Sequence, residues 1–243
     1  MPLYLIHGAL GAADQMQPLE DALWQRDVRV IELPGHGHTP LNGVPFSIDA
    51  FAEHIVAMLD ADACDEADFL GYSLGGYVAL VVALTHPARV RRVMTLGTKF
   101  EWTRAIAERE TSRLDPVKIR AKVPKFAESL EFRHRIAGGW ETVLGNTAAL
   151  MHTIGERPQL RPEELGRIAQ PICVGVGDRD ATVGVDEKHA CVPPPPGWIT
   201  RCVARHITPI RAGGSPPARG PHGIIFPLGC RLARGGERTR RSR

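Results

Sequence analysis

The stretch that most constrains what this 243-residue chain can fold into is Phe69-Leu70-Gly71-Tyr72-Ser73-Leu74-Gly75-Gly76-Tyr77. An apolar run enters it and an Ala/Val/Leu-rich helical pattern leaves it, which predicts a sharp turn from a buried strand into a helix with Ser73 at the apex. Gly71 and Gly75 stand two residues either side of the serine and let strand and helix approach closely, while the turn strains the serine backbone and pushes its hydroxyl outward. The helix that starts just after it aims backbone N–H groups and a positive dipole end at whatever the hydroxyl meets. Alone, G-x-S-x-G also describes an ordinary glycine-rich turn, so its meaning depends on the rest of the chain.

The rest of the chain alternates strands and helices. Leu3 to Ile6 is a short apolar run stopped by His7-Gly8-Ala9-Leu10-Gly11, and a helical pattern follows through Met16, Leu19, Leu23 and Trp24. Val28 to Leu33 is β-branched and broken by Pro34-Gly35-His36-Gly37; Ser47 fits as N-cap of a helix carrying Phe51, Ile55, Val56 and Leu59. After the serine turn come a helix over 75–86, closed by His86-Pro87, and a buried strand from Val90 to Leu96. Strands apolar on both sides predict an α/β fold with a mostly parallel sheet covered by helices on both faces, and ligands then bind beyond the strands' carboxyl ends. The rhythm breaks over residues 98–170, which are helical and polar with breaks at Pro116, Pro124, Gly138-Gly139 and Pro158; this reads as a helical cap inserted into a core formed by 1–97 and 171–192. Pro171 to Gly177 restores the strand pattern and leads into Asp178-Arg179-Asp180.

The charge is divided. Residues 193–243 carry ten arginines, no lysine and one acidic residue, a net of +9, which leaves −6 for residues 1–192 within a total of +3. This Pro/Arg/Gly-rich tail, with one strand expected near 198–204, lacks the interleaved aromatics of a nucleic-acid stacking surface. No apolar run reaches membrane-spanning length and the start lacks the basic flank of a signal peptide. The expectation is a cytoplasmic protein with a small-molecule substrate and neither nucleic acid nor membrane as partner. Five cysteines, an odd number without metal-ligand spacing, point to thiols rather than a disulfide framework.

Serine at its free pKa is a poor nucleophile, so Ser73 needs a general base, an acid to orient that base, and oxyanion donors. The loop after the first strand can turn the Ala9 N–H toward the same mouth as the Leu74 N–H, and two such donors make an oxyanion hole. For His7 the plainer reading is a structural imidazole bonded to nearby backbone, and the same holds for His36 and His38.

Together these pieces resemble the α/β-hydrolase superfamily. The resemblance is carried by Ile6-His7-Gly8-Ala9-Leu10-Gly11, Leu33-Pro34-Gly35-His36-Gly37, Gly71-Tyr72-Ser73-Leu74-Gly75-Gly76 and Gly177-Asp178-Arg179-Asp180, matching in order and spacing over residues 3 to about 190. It implies Ser73 as nucleophile, Ala9 and Leu74 N–H as oxyanion donors, and an acid after a late strand in the form G-x-x-D, which selects Asp180 over Asp178. Serine in place of aspartate separates the chain from the dehalogenase branch, and the family's usual leading hairpin is absent, so the sheet is expected to begin with Leu3–Ile6. The resemblance implies neither metal nor organic cofactor.

It also implies a histidine after one further strand. Trp198 to Ala204 passes for that strand and His206 follows, 26 residues beyond Asp180. Its surroundings depart from the family, which follows its histidine with a proline and a terminal helix, whereas here comes Arg211-Ala212-Gly213-Gly214-Ser215-Pro216-Pro217. His222 is the second candidate, and His189 reads as an exposed helix residue. A change of reading frame near Pro193-Pro194-Pro195-Pro196, where proline codons can form a cytosine run, accounts for both departures. Shifted by one base, codons permitted by Val203 to Gly214 can encode Leu-Pro-Gly-Thr-Ser-His-Pro-Phe-Glu-Arg-Val-Asp, with the histidine arising across Thr208 and Pro209.

The activity implied is hydrolysis of an ester or related acyl bond of a small, fairly apolar substrate, with cap aromatics Phe100, Trp102, Phe126, Phe132 and Trp140 as candidate pocket walls. Two alternatives stand beside it. One is a carbon–carbon bond hydrolase, or a lyase similar to menaquinone-pathway synthases of the same superfamily, which would want Arg104, Arg109 or Arg133 in the pocket. The other is a catalytically impaired or silent binding protein that has lost the family histidine.

Overall fold

The computed structural model describes residues 1–177 and 199–204. Among the described residues, six strands form one parallel sheet: β1 (Leu3–Ile6), β2 (Val28–Ile31), β3 (Ala67–Tyr72), β4 (Val90–Leu96), β5 (Ile172–Gly177) and β6 (Ile199–Ala204), in the order β2-β1-β3-β4-β5-β6. Leu3–Ile6 is the first strand in chain order among the described residues. Alternation along β1 sorts the core: Tyr4 and Ile6 join Phe69 on one face, and Leu3 and Leu5 join Leu70 on the other.

Helices α1 (Gln17–Ala22), α2 (Ile48–Ala61) and α3 (Leu74–Thr85) connect the first four strands. Ser47 caps α2, its hydroxyl accepting the Ala50 N–H at 3.2 Å, and Phe51, Ile55 and Leu59 are fully buried along one stripe. Each such side chain stabilises the fold by about 1.5–3 kcal/mol. Helix α3 is apolar nearly all round because it lies in the middle of the molecule, with nine of its twelve residues buried. The pattern through Met16 and Leu19 does make a helix, but a six-residue one that stops at Ala22; Trp24 falls beyond it and is exposed.

Between β4 and β5 run α4 (Arg104–Thr111), α5 (Pro116–Lys122), α6 (Pro124–His134), α7 (Trp140–Glu156) and α8 (Pro162–Leu165). Their starts are local: Thr103 caps α4, Asp115 caps α5 through the Val117 and Lys118 N–H groups, and Pro116 and Pro124 occupy first helical positions. A small apolar centre of Ile119, Ala127, Leu130, Trp140 and Leu144 holds α5, α6 and α7 together and receives Leu10 from the loop after β1. Helix α4 approaches α7 closely at Gly155, where a Cβ would stand 2.7 Å from that of Ala107.

At the opposite edge of the sheet, Arg26, Arg91 and Arg92 converge on Asp68, a residue only 4% exposed. Burial alone would raise this carboxyl; the arginine bonds outweigh it and hold the group at about 2.

Candidate functional site

Strands β1 and β3 lie side by side with Ile6 opposite Gly71, yet the chain leaves β1 for one side of the sheet and β3 for the other. Their carboxyl ends therefore frame the switch point of the sheet, where an α/β fold opens a crevice. The two loops that emerge there are His7–Gly11 and the serine turn.

Ser73 has φ 51° and ψ −114°, a backbone conformation that costs a non-glycine residue of the order of 1–3 kcal/mol. Main-chain packing imposes it. A Cβ on Gly71 would lie 2.3 Å from the Gly76 nitrogen, and one on Gly75 would lie 2.4 Å from the Ile6 carbonyl oxygen. The Ser73 N–H donates to Leu96 O at 2.8 Å and the Thr98 hydroxyl donates to Ser73 O at 2.9 Å, so β4 and the loop beyond it fix both sides of the strained residue. This is the close approach expected of Gly71 and Gly75.

Ser73, Ala9 and Leu74 line one pocket together with Tyr77, Lys99, Trp102, Thr147, Leu150, Met151 and Ile154. The pocket is partly open, and the 400 Å³ of non-atom space within it includes solvent at its mouth. No backbone hydrogen bond among the described residues takes up the Ala9 N–H. Leu74, first residue of α3, has no intrahelical acceptor for its own N–H. Ala9 and Leu74 thus line the same cavity as the serine.

Of the five candidate aromatics only Trp102 lines this pocket. Phe100 packs into the main core, Trp140 and Phe126 into the small centre of the helical segment, and Phe132 is exposed. Trp140 and Phe126 serve to pack helices, since the segment has its own core to fill. The three arginines named for an acidic substrate lie elsewhere as well: Arg104 pairs with Glu156, Arg109 with Glu110 and Arg133 with Asp14.

The histidines behind the site are bonded to backbone. His7 is fully buried; its Nδ1–H donates to Gly8 O at 2.8 Å and its Nε2 accepts the Leu33 N–H at 3.0 Å. Burial lowers its pKa to about 4, so the ring is neutral at pH 7. His36 stacks edge-on against His7 and is lowered well below the ordinary range, again by burial. His134, on α6, was not legible as part of the site: its Nδ1 accepts the Gly37 N–H and its Nε2–H donates to Leu10 O, each at 3.0 Å. His38 contributes only its backbone N–H, to Glu32. Glu32 escaped the sequence reading too, although its carboxylate also accepts from Ala13 N–H and the Thr39 hydroxyl and so ties three loop segments together.

Strands β5 and β6 end at Gly177 and Ala204, on the same sheet edge as the serine turn. Asp180 and His206 follow them in sequence and, with Asp178, His189 and His222, lie outside the described residues. Among the described residues no helix is long and apolar enough to cross a membrane, and no cluster of three His, Cys, Asp or Glu side chains could hold a metal ion.

This geometry belongs to a known class. A model of the alpha/beta hydrolase fold matches residues 1–132, which carry β1 to β4 and the serine turn, and the chain belongs to that family. Within it, the chain is similar to pimeloyl-[acyl-carrier protein] methyl ester esterases. It is 44% identical to that of Neisseria meningitidis over 93 residues, 37% of this chain and 33% of the relative. With the Vibrio campbellii enzyme the identity is 29% over 188 residues, 74% of this chain and 69% of the relative. The chain thus spans about a third of the length of the Neisseria relative in the matched region. Among solved structures, a thermophilic esterase from Thermogutta terrifontis superposes with a TM-score of 0.62 at 20% identity, over 82% of this chain and 79% of that one, a likeness of fold.

Proposed function

We propose that this protein is a serine hydrolase that cleaves an ester of a small, fairly apolar acyl group. The observation that carries the reading is the convergence of Ser73, held in a strained turn, with Ala9 and Leu74 in one mostly apolar pocket. Ser73 Oγ attacks the ester carbonyl and its proton passes to a histidine; the tetrahedral oxyanion sits between the Ala9 and Leu74 N–H groups; the histidine then protonates the leaving alcohol, and water repeats the cycle on the acyl-enzyme. Asp180 orients that histidine and stabilises its charged form. His206 is the base in the chain as written; the histidine of the shifted reading frame is the base if the tail is restored. Residues 98–170 act as the cap, with α7 supplying the wall over Ser73.

An ester rather than an acidic lyase substrate is supported by Arg104, Arg109 and Arg133, each of which pairs with a carboxylate and none of which lines the pocket. The methyl ester named for the Neisseria and Vibrio relatives makes acyl methyl esters the first natural substrates to try. The test is hydrolysis of short p-nitrophenyl and methyl esters, with fluorophosphonate labelling, by the wild-type chain, Ser73→Ala, His206→Ala and a frame-restored chain. Turnover and labelling lost in Ser73→Ala are expected. Turnover that survives Ser73→Ala overturns the mechanism, and full activity in His206→Ala removes His206 as base.

A further inference from the structure

Helix α7 carries two threonines that behave differently. Thr153, on its outer side, does what a helical threonine ordinarily does and donates its hydroxyl to the carbonyl four residues back, Ala149 O, at 3.0 Å. Thr147 is 1% exposed, and its Oγ1 has no hydrogen-bond partner among the described residues. It shares a face with Leu150, Met151 and Ile154, at spacings of three, four and seven, and all four line the pocket over Ser73. Thr95 also has an unpartnered hydroxyl but lines no part of this pocket.

Apart from Ser73 and the two proposed oxyanion donors, two other polar side chains of the pocket wall, Tyr77 and Lys99, are engaged. The Tyr77 hydroxyl accepts the Gln159 and Leu160 N–H groups at 3.0 and 3.2 Å, and the Lys99 ammonium is 3.8 Å from the Glu110 carboxylate. A valine at position 147 would fill the same space without burying a lone hydroxyl, which costs folding free energy. A helical threonine has two accessible χ1 wells, and rotation between them carries the hydroxyl to another staggered position on Cβ. A ligand atom reaching this wall can therefore be met by the O–H.

We propose that Thr147 is a specificity determinant of the pocket: its hydroxyl donates to an accepting oxygen, ether or carbonyl, borne on the acyl chain of the substrate. The preferred substrates are then oxygenated short acyl esters over plain alkanoyl esters of equal length. This rests on the reading of Ser73 as nucleophile.

The test uses matched p-nitrophenyl esters differing by one CH2-for-O exchange. Butyrate is paired with methoxyacetate, and pentanoate with ethoxyacetate and 3-methoxypropanoate, so that the oxygen takes two positions. Each is assayed on the wild-type chain, Thr147→Val and Thr147→Ser. Intrinsic reactivity cancels when each oxygenated ester is compared with its alkyl twin across variants. Thr147→Val is expected to lower that kcat/KM ratio about tenfold for at least one oxygen position, and Thr147→Ser to retain it. Thr147→Val is also expected to melt at the wild-type temperature or a few degrees, about 2–4 °C, higher. A ratio unchanged at every position, with both esters affected alike or not at all, overturns the proposal.

Binding of methyl methoxyacetate and methyl butyrate to Ser73→Ala, with and without Thr147→Val, read by ligand-observed NMR, separates the two levels. Absent turnover in both the wild-type and the frame-restored chain sinks the hydrolase reading, whereas equal binding of the two ligands to Ser73→Ala itself sinks the role of Thr147.

Discussion

His134 and Leu10 are 124 residues apart in sequence and joined by a 3.0 Å hydrogen bond, the imidazole Nε2–H donating to the Leu10 carbonyl. Leu10 has φ 59° and directly follows Ala9, so the helical segment grips the loop that carries one proposed oxyanion donor. The same ring accepts the Gly37 N–H, and neighbouring Arg133 bonds Asp14 through Nε at 3.0 Å. His134→Ala is expected to lower kcat at least tenfold with little change in KM, because a small displacement of a donor weakens the transition state more than the ground state. His134→Gln, which can both donate and accept, is expected to recover part of the loss. Steady-state kinetics on a p-nitrophenyl ester decide it; a change confined to KM contradicts the positioning role.

Stability depends on pH through the buried imidazoles. Unfolded, His7 titrates near 6.5; folded, burial holds it at about 4, and burial lowers His36 and His134 as well. Below pH 6.5 the unfolded chain takes up protons that the folded chain refuses, so stability is full above that pH and falls as the pH drops toward 4. His7 alone accounts for about 3 kcal/mol over this window. The Asp68 carboxylate, held at about 2, adds its loss only below about 4. Urea midpoints at pH 7.5, 6 and 5 are expected to decrease in that order, and equal midpoints at pH 7.5 and 5 would refute the neutral, buried state of the cluster.

Ser73→Gly is expected to remove activity and raise stability by about 1 kcal/mol, since glycine accepts a positive φ without strain. Denaturation monitored alongside fluorophosphonate labelling checks both halves. A less stable glycine variant would mean that the hydroxyl contributes more to the fold than its strained backbone costs.

Gly75→Ala is expected to destabilise the protein by about 3 kcal/mol or more, because the new Cβ would lie 2.4 Å from Ile6 O and 2.5 Å from His7 O, neither of which can move without opening β1. Gly145→Ala, where a Cβ meets nothing within 4 Å, is the control and is expected to be neutral or slightly stabilising. Soluble yield and melting temperature read the contrast.

The strands were legible because their apolar runs are short, carry β-branched or aromatic residues and are bounded by Gly and Pro; β4 and its bounds, Val90 to Leu96, follow from that pattern. The serine turn was legible for the same reason, since its glycines report a backbone contact. Inside the helical segment the signal weakened. Pro116 and Pro124 look like breaks yet start α5 and α6, because a proline at a first helical position forfeits no hydrogen bond. His134, Glu32 and Thr147 could not be singled out, because what distinguishes them is partners, or the lack of one, supplied by distant parts of the chain. Sequence spacing carries local geometry and says little about which side chain a separate helix will deliver to a loop.

The turn that presents Ser73 is shaped by main chain pressing on main chain: Gly71 against Gly76, and Gly75 against the carbonyls of Ile6 and His7. For protein engineering this separates a fixed chassis from exchangeable panelling. Combinatorial libraries at Trp102, Thr147, Leu150, Met151 and Ile154 can recut the cavity while leaving the nucleophile's presentation intact, whereas diversity spent on the glycines yields only unfolded clones.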